Sequence, residues 1–334
     1  MLKTTLARTA TLAVALVALA GCTSEADTPD APDARGATAE QPQEPTVDEV
    51  TFTYVTSPLN MPSIVERERG TFTDAFGDLG VDVSYSELTT GPEQTAALAS
   101  GDIQFLFAVG ATSVILSAAN GADIAIVDMY SRSPEAFMLI TGQDGVDSPE
   151  ELVGLTIGGP KGTILHELLL AYLASGGYSA DDVQFVDMTL PDAQAALAGG
   201  SVDVALLAGP LAYNALADGY QMVTDGDGLV GATIVVATTR EFAEANPMLI
   251  EAYRAAHAEV VDWVLANPDE AQELAAAETG LSPEAVAEMA AMYDFSVGLT
   301  DADLAAMEAT VDFMVANGML DEAIDVRSLL LDAE

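Results

Sequence analysis

The residue best placed to bind an anion is Lys161, the last lysine of the chain. It lies in the turn Gly158-Gly-Pro-Lys-Gly-Thr163, between a predicted strand and a predicted helix. Free N–H groups at the start of a helix attract anionic oxygens, and Gly162 and Thr163 stand where this helix begins. Thr163 is also the predicted N-cap of the helix. Lys161 therefore either contacts an anionic ligand or pairs with a surface carboxylate, an interaction worth little.

Small polar residues follow two other predicted strands. Ala111, Thr112 and Ser113 follow one strand and begin an apolar helix, and Ser57 and Asn60 follow the first strand. Their hydroxyl and amide groups either cap the next helix or contact a ligand beside its free N–H groups, and one residue can do both. All five are candidate ligand contacts.

Tyr130 and Arg132 end a further predicted strand. Either side chain is a candidate ligand contact, and the guanidinium of Arg132 offers a bidentate clamp for an oxyanion. The alternative for Arg132 is an ion pair beside a hinge. Tyr130 is therefore a predicted ligand contact.

No catalytic group or metal site is expected. The histidines, His166 and His257, lack the spacing of metal ligands, and no Gly-x-Ser-x-Gly motif occurs. The glycine-rich turn around Lys161 does not have Walker spacing. His257 lies among Glu251 and Glu259, a pattern that predicts a solvent-exposed helix face. The sequence therefore predicts a binding protein without a cofactor.

The first 21 residues have the pattern of a secretory signal peptide. Lys3 and Arg8 precede an apolar stretch that is too short to favour a membrane-spanning helix. The sequence Leu19-Ala-Gly-Cys22 resembles the bacterial lipobox, in which the cysteine is lipidated. Cys22 is the only cysteine of the chain, although an ordinary signal peptide that contains a cysteine is the alternative. We expect a lipid anchor at Cys22 and a position on the extracytoplasmic face of the cell membrane.

Residues 22–46 are rich in proline and acidic residues and are predicted to form a flexible tether. The whole chain has 53 acidic and 10 basic residues, a formal net charge of −43. Nucleic acids and anionic membrane surfaces need a basic footprint, so this charge argues against both as partners.

Short apolar strands alternate with helical patterns from residue 51 onward. This alternation predicts parallel α/β sheets. The predicted strands are Thr51–Val55, Val81–Tyr85, Ile103–Val109, Ile124–Met129, Ala136–Thr141 and Thr156–Gly158.

An internal similarity suggests two equivalent lobes. Residues 96–105 align with residues 195–204, and the helices in the two segments end at Gly101 and Gly200. The strands that follow end at Gly110 and Gly209. Chance similarity between alanine-rich helices is the alternative. Duplication predicts that the loops after Val55, Val109, Gly158 and Ala208 converge on one cleft.

Four segments of this sequence resemble substrate-binding proteins of ABC importers, in particular the aliphatic sulfonate, taurine and nitrate group. They are Gly101-Asp-Ile103, Pro149-Glu-Glu-Leu-Val-Gly-Leu-Thr-Ile157, Lys161-Gly-Thr163 and Leu190-Pro-Asp-Ala-Gln-Ala-Ala196. The likeness extends from about residue 52 to about residue 267. It implies a two-lobed type II periplasmic-binding-protein fold with a ligand cleft. Two hinge crossings are expected near Phe137–Thr141 and Thr233–Thr238, with residues 47–139 plus 237–334 in lobe 1 and residues 140–236 in lobe 2.

The resemblance also implies a function. A monomer of this family delivers a small solute to ABC permease subunits, and the solute expected here is a sulfonate, taurine or nitrate. Many family members carry Trp, an acid and Pro after the strand equivalent to residues 202–207, whereas this chain has Ala208, Gly209 and Pro210. Pro210, which matches the family pattern, is a candidate ligand contact. The missing aromatic wall leaves open a heterocyclic, pyrimidine-like solute, and a lipid-anchored sensor subunit is the alternative to import.

Overall fold

The computed structural model describes residues 44–331. The predicted signal peptide, Cys22 and nearly all of the predicted tether lie outside the described residues. Within the described range, no helix combines the length and the apolar character needed to cross a lipid bilayer.

Strands alternate with helices through about the first two thirds of the described chain. The strands are β1 (Glu49–Tyr54), β2 (Asp82–Glu87), β3 (Leu106–Gly110), β4 (Ala125–Arg132), β5 (Phe137–Thr141), β6 (Thr156–Gly159), β7 (Gln184–Asp187), β8 (Val204–Ala208), β9 (Gln221–Asp225) and β10 (Thr233–Thr238). All six strands predicted from the sequence overlap strands of the structure, which confirms those predictions.

Most helices begin with a proline or with a residue that caps the first turn. The α-helices are α1 (Met61–Arg69), α2 (Thr71–Gly77), α3 (Gly91–Ser100), α4 (Ala111–Ala119), α5 (Ile164–Ser175), α6 (Leu190–Ala198), α7 (Gly209–Ala217), α8 (Arg240–Ala245), α9 (Pro247–Ala266), α10 (Pro268–Thr279), α11 (Pro283–Ala290) and α12 (Asp301–Ala316). Single 3₁₀ turns occur at Pro134–Ala136, Pro149–Leu152, Ala180–Asp182 and Val326–Leu329.

The strands form two layers with the same order. In the first, β2 pairs with β1, and β3, β10 and β4 are adjacent. A parallel bridge between Phe52 and Phe105 links these two groups, so the order is β2-β1-β3-β10-β4. The second sheet has the order β7-β6-β8-β5-β9. The equivalent order supports the duplication predicted from the sequence.

Glycines end the matched helices as predicted. Gly101 has φ 82° and directly follows α3, and Gly200 has φ 68° just after α6. Each of these segments then enters an equivalent strand, β3 or β8, and each strand leads directly into a helix, α4 or α7. The two aligned segments therefore occupy equivalent positions in the two sheets.

The prediction of parallel sheets is confirmed for the pairs β1–β2, β6–β7 and β6–β8 and is wrong for the pairs that contain β5 or β10. β10 runs antiparallel to β3 and β4, and β5 runs antiparallel to β8 and β9. β5 follows β4 of the first sheet after a single 3₁₀ turn. β10 likewise follows β9 of the second sheet without a helix between them. A parallel neighbour in the same sheet needs a long crossover, usually a helix, and these two strands enter without one.

The chain crosses between the sheets twice, and the two crossings touch. They run from Ser133 to Ala136 and from Gly226 to Ala232. The N–H of Gly226 donates to the carbonyl of Pro134 at 3.2 Å. A Cβ on Gly226 would lie 2.7 Å from the same carbonyl oxygen, so glycine permits this approach. The lobe boundaries proposed from the sequence stay a prediction.

His257 is not on a solvent-exposed helix face. Its side chain is fully buried on α9, and its ring packs edge-on against the ring of Phe107. The ring of Tyr130 lies nearly parallel to it, with 6.0 Å between the two ring centroids. The helical period places His257 one turn after the buried Tyr253, whose hydroxyl lies 2.9 Å from Nδ1 of His257. The neighbouring glutamates, Glu251 and Glu259, are exposed on the other face, which explains why the prediction was wrong.

Candidate ligand-binding site

A cavity of about 70 Å³ lies where loops from both sheets meet. The first sheet contributes the loops after β1, β2 and β3, and the second contributes the loop after β6 together with the first residues of β5 and α6. Open α/β sheets bind ligands at the carboxyl ends of their strands, and most of these loops lie there. The convergence predicted from the sequence is confirmed for the loops after Val55, Val109 and Gly158.

Three helices begin at the cavity wall. Their N-cap residues are Thr90 for α3, Gly110 for α4 and Thr163 for α5, and all three line the cavity. Within residues 44–331, no side chain caps α4 or α5. The first N–H groups of a helix have no partner within the helix, and they form a site for anionic oxygens.

None of the side chains that line this cavity carries a charge. The polar side chains of the lining are Ser57, Thr89, Thr90, Gln94, Ser113 and Thr163. The cavity therefore presents hydroxyl groups, one amide and helix termini to a ligand, inside a wall that is otherwise apolar.

Ser113 forms a hydrogen bond between the two layers. Its hydroxyl donates to the carbonyl of Gly162 at 2.8 Å, which links α4 to the loop after β6. A Cβ on Gly91 would lie only 2.1 Å from the same hydroxyl oxygen. Glycine at position 91 therefore creates the space in which Ser113 and the start of α3 lie together.

Backbone strain occurs at the cavity as well. Ala108 lines the cavity with φ 76°, a left-handed conformation that residues other than glycine rarely adopt. The register of β10 also shifts between Val235 and Val236, opposite this part of β3. The irregular pairing directs the end of β3 into the cavity wall.

Ser57, Ser113 and Thr163 are the candidates from the sequence that line the cavity. Thr163 holds the N-cap position of α5, but its hydroxyl donates to the carbonyl of Pro160 rather than capping the helix. Ser113 likewise does not cap α4, because Gly110 takes that position and Ser113 bonds to Gly162.

Five other candidates are buried and do not line the cavity. Ala111 and Pro210 are buried residues in the first turns of α4 and α7. Asn60 donates to the carbonyl of Val55, Thr112 donates to a carboxylate on α5, and the hydroxyl of Tyr130 lies 2.8 Å from that of Ser63. Asn60 thus closes the turn after β1, the structural alternative considered for it.

Lys161 and Gly162 adjoin the cavity without lining it. The backbone N–H of Lys161 donates to the carboxylate of Asp187, and Lys161 lines an open depression that Glu93 and Asp187 also line. Burial and the nearby charge of Lys161 lower the pKa of His166 to about 4. His166 is therefore neutral at physiological pH, and its Nδ1 accepts from the N–H of Gly162 at 3.4 Å.

Arg132 takes the structural alternative given for it. Its guanidinium contacts both carboxylate oxygens of Asp303, each at 2.6 Å, and also the carbonyls of Ser296 and Gly298. It is an ion pair beside the first crossing, and it does not line the cavity.

The loop after β8 contacts the loop after β1 and does not line the cavity. Gly209 has φ 53°, and a Cβ there would lie 2.6 Å from the backbone nitrogen of Leu59. A side chain has no room at this position. The acidic residue that the resemblance leads one to expect here is therefore excluded by the loop after β1.

Residues at the start of α3 line the cavity but were not among the contacts predicted from the sequence. Thr90 and Glu93 form a capping box at the start of α3, and Thr90, Gly91 and Gln94 all line the cavity. The capping box was a usable signal, because Thr-x-x-Glu follows a predicted strand just as the other candidate loops do.

A second chamber of about 310 Å³ adjoins the cavity and shares Val55, Ser57, Thr89 and Leu190 with it. Its lining differs in charge, because it includes Glu87 and Glu278. The hydroxyl of Tyr54 also lies in this lining and donates to Glu278 at 2.8 Å. The cavity therefore offers hydrogen-bond donors, whereas the charge of the adjoining chamber is partly offset, because the guanidinium of Arg67 lies 3.6 Å from the carboxylate of Glu278.

Comparisons with known proteins agree with this architecture. A putative aliphatic sulfonates-binding protein of Escherichia coli (strain K12) is 26% identical over 250 residues, covering 73% of this chain and 78% of that protein. The taurine-binding periplasmic protein of the same organism is 29% identical over 224 residues, covering 66% of this chain and 68% of that protein.

Among solved structures, the alkanesulfonate-binding protein SsuA from Xanthomonas axonopodis pv. citri, bound to MOPS, superposes with a TM-score of 0.77. The identity is 22%, and the match covers 86% of this chain and 98% of that one. This likeness shows the two-lobed fold of periplasmic binding proteins. The family model described as NMT1/THI5 like matches residues 58–271, more than half of the 334 residues, and the chain therefore belongs to the NMT1/THI5-like family.

Proposed function

We propose that this protein is the solute-binding subunit of an ABC importer and that its cavity holds the sulfonate group of a small organic solute. The observation that carries the proposal is an uncharged cavity at which α3, α4 and α5 all begin. The relatives named for aliphatic sulfonates and for taurine support the choice of sulfonate over other oxyanions.

The chemistry of the lining fits a tetrahedral anion with a permanent charge. The termini of α4 and α5, which no described side chain caps, supply N–H groups and the positive end of a helix dipole, and both stabilise an anion without a cationic side chain. Hydroxyl groups of Ser57 and Thr90 lie in the same lining and can donate to further oxygens. In a wall that excludes water, such hydrogen bonds to a charged group are stronger than those between neutral groups.

The location and partners are also part of the proposal. Lipid on Cys22 would hold the protein on the extracytoplasmic face of the membrane, with the acidic tether between the anchor and the lobes. The two lobes, joined by the crossings at Ser133–Ala136 and Gly226–Ala232, would close on the solute. The permease subunits would then recognise the closed form.

Isothermal titration calorimetry of the purified protein tests the proposal. Ethanesulfonate and taurine are the test ligands, and propionate, nitrate, uracil and putrescine are the comparisons. We expect heat of binding from a sulfonate and none from propionate, which is an anion of similar size without the tetrahedral head group. Binding of uracil or putrescine in preference to every sulfonate would contradict the proposal.

A further inference from the structure

Glu167 places a carboxylate in the first turn of α5, buried between the two layers of the molecule. Its backbone N–H donates to the carbonyl of Thr163, the residue that begins this helix at the cavity wall. Its two side-chain oxygens accept from the hydroxyls of Thr112 on α4 and Thr310 on α12, at 2.6 and 2.8 Å. The helix whose free N–H groups are offered to the solute thus carries a buried acidic group of its own.

The described elements packed around Glu167 bring no cation to it. α4, β5 and β8 contain no charged residue. The charged residues of α12 are all acidic: Asp301, Asp303, Glu308 and Asp312. Among these four, Asp303 is buried, and its carboxylate is paired with Arg132.

Two further sets of titratable groups belong to α5 or contact its ends. Burial and the charge of Lys161 lower the pKa of His166 to about 4, so this imidazole is neutral above that pH. The acidic turn Pro149–Leu152 packs beside Gly176, just after the last residue of the helix. Neither supplies a positive charge at Glu167. Neutralising this carboxylate therefore requires a proton on Glu167 itself.

A negative charge on Glu167 opposes solute binding in two ways. Closing the lobes removes the carboxyl from water, and burial disfavours its charged form. The charge also lies in the first turn of a helix whose terminus is offered to an anion, and two negative charges at one terminus repel each other. A proton removes both costs, and a protonated carboxyl can still donate to one hydroxyl and accept from the other.

We propose that Glu167 couples solute binding to protonation, so that closing of the lobes on the anion takes up a proton at this carboxyl. The inference rests on the proposed function and adds a pH dependence to it. The solute is held more tightly at low pH and is released more readily as the pH rises.

The direction of the pKa shift agrees with the geometry. Burial raises the pKa of Glu167 above its ordinary value of 4.5, and the two hydroxyl bonds oppose this only in part. In the open form the carboxyl returns to water, and its pKa falls towards the ordinary value. Between the two values the closed form holds a proton that the open form has released. The closed form is therefore favoured fully at low pH, and this advantage is lost as pH rises through the raised pKa.

Proton uptake is measured by titration calorimetry with ethanesulfonate at pH 5.5, in two buffers that differ in ionisation enthalpy. Ethanesulfonate is the anion of a strong acid and does not titrate, so any proton taken up binds to the protein. We expect the wild-type protein to take up a fraction of one proton for each solute bound. Its dissociation constant should rise about threefold between pH 5 and pH 8.

Glu167→Gln is the matched variant, because it keeps the size of the side chain and can bond to both hydroxyls but does not titrate. It should take up no proton, and its dissociation constant should be the same at pH 5 and pH 8. Glu66→Gln is the control for another buried carboxyl. Burial raises the pKa of Glu66 to about 7, but its partner Tyr85 lies on β2 of the first sheet, so closing leaves this pair in place. Proton uptake should persist in that variant.

Binding of ethanesulfonate without proton uptake, or with uptake that Glu167→Gln retains, would overturn the inference and leave the proposed function intact. Absence of binding by the wild-type protein at every pH would contradict the proposed function instead. Lobe closure is then compared without a solute by small-angle X-ray scattering. The wild-type protein should have a larger radius of gyration than Glu167→Gln at pH 8 and the same radius at pH 5, and equal radii at both pH values would overturn the proton coupling.

Discussion

The carboxylate of Glu167 accepts a hydrogen bond of 2.6 Å from the hydroxyl of Thr112, which joins α5 to α4 across the two layers of the molecule. A second bond, of 2.8 Å, comes from the hydroxyl of Thr310 on α12. Glu167 is only 4% exposed, and its burial raises the pKa of its carboxyl. Glu167 lies on α5, the helix that follows β6 of the second sheet. Its carboxylate is thus held by α4 and α12, two helices that pack on the first sheet.

This contact predicts an effect on solute binding. The proposed opening of the lobes would separate Glu167 from Thr112 and Thr310, so the two bonds stabilise the closed form only. Glu167→Ala leaves both hydroxyls without a partner, and we expect about tenfold weaker binding through faster dissociation. Stopped-flow measurement of the dissociation rate of ethanesulfonate checks this.

Glu167→Gln is the matched control for that variant. Glutamine has the same size and can bond to both hydroxyls, so the dissociation rate should stay within about threefold of the wild-type rate. A dissociation rate in Glu167→Ala equal to that of the wild-type protein would show that the contact does not stabilise the closed form.

A second buried carboxylate makes stability depend on pH. Glu66 on α1 is fully buried, accepts from the hydroxyl of Tyr85, and has one oxygen without a partner among the described residues. Burial raises the pKa of Glu66 from 4.5 to about 7. Between these two values the folded protein keeps a proton that the unfolded chain has released. The stabilisation is therefore complete at low pH and is lost as pH rises through about 7.

Glu66→Gln removes this titration. We expect the variant to exceed the wild-type protein in unfolding free energy by about 2 kcal/mol at pH 8, and by clearly less at pH 5. Urea unfolding at the two pH values measures the difference. Glu68→Gln, at an exposed position on the same helix, should show no such dependence. A gain for Glu66→Gln that is the same at both pH values would refute the assignment.

The close packing at Gly91 predicts a loss of binding. In Gly91→Ala the new methyl group would lie 2.1 Å from Ser113 Oγ, so Ser113 must move from its bond to Gly162. We expect sulfonate affinity to fall more than about tenfold, because the cavity wall is displaced. Gly77→Ala is a suitable control, since a Cβ there meets nothing within 4 Å. Equal affinity of the two variants would argue against this wall being part of the site.

A substitution at Lys161 tests whether the uncharged cavity binds a sulfonate without a cationic side chain. Because its side chain lies outside the cavity lining, Lys161→Ala should change sulfonate affinity by less than about threefold at physiological salt. Titration calorimetry at two salt concentrations measures it. A loss well beyond tenfold would instead support the direct anion contact that the sequence suggests.

Elements that depend on local residues were predictable from the sequence, and contacts between distant segments were not. Alternating apolar residues and helix-ending glycines such as Gly101 are local signals, and they located the strands and the duplication. Glu167 has two partners that are distant in sequence. Thr112 is 55 residues away and Thr310 is 143 residues away, so no spacing rule indicates either of them. His257 was misplaced for a related reason. Charged neighbours in sequence point away from it on the helix, while its own face meets an aromatic core.

The most direct test of the central claim is a crystal structure of the protein with ethanesulfonate, with the sulfur located by its anomalous scattering. The account predicts that the sulfur lies in the cavity, with sulfonate oxygens within hydrogen-bond distance of N–H groups in the first turns of α3, α4 or α5. A sulfonate bound at the ammonium group of Lys161, outside the cavity, would contradict it.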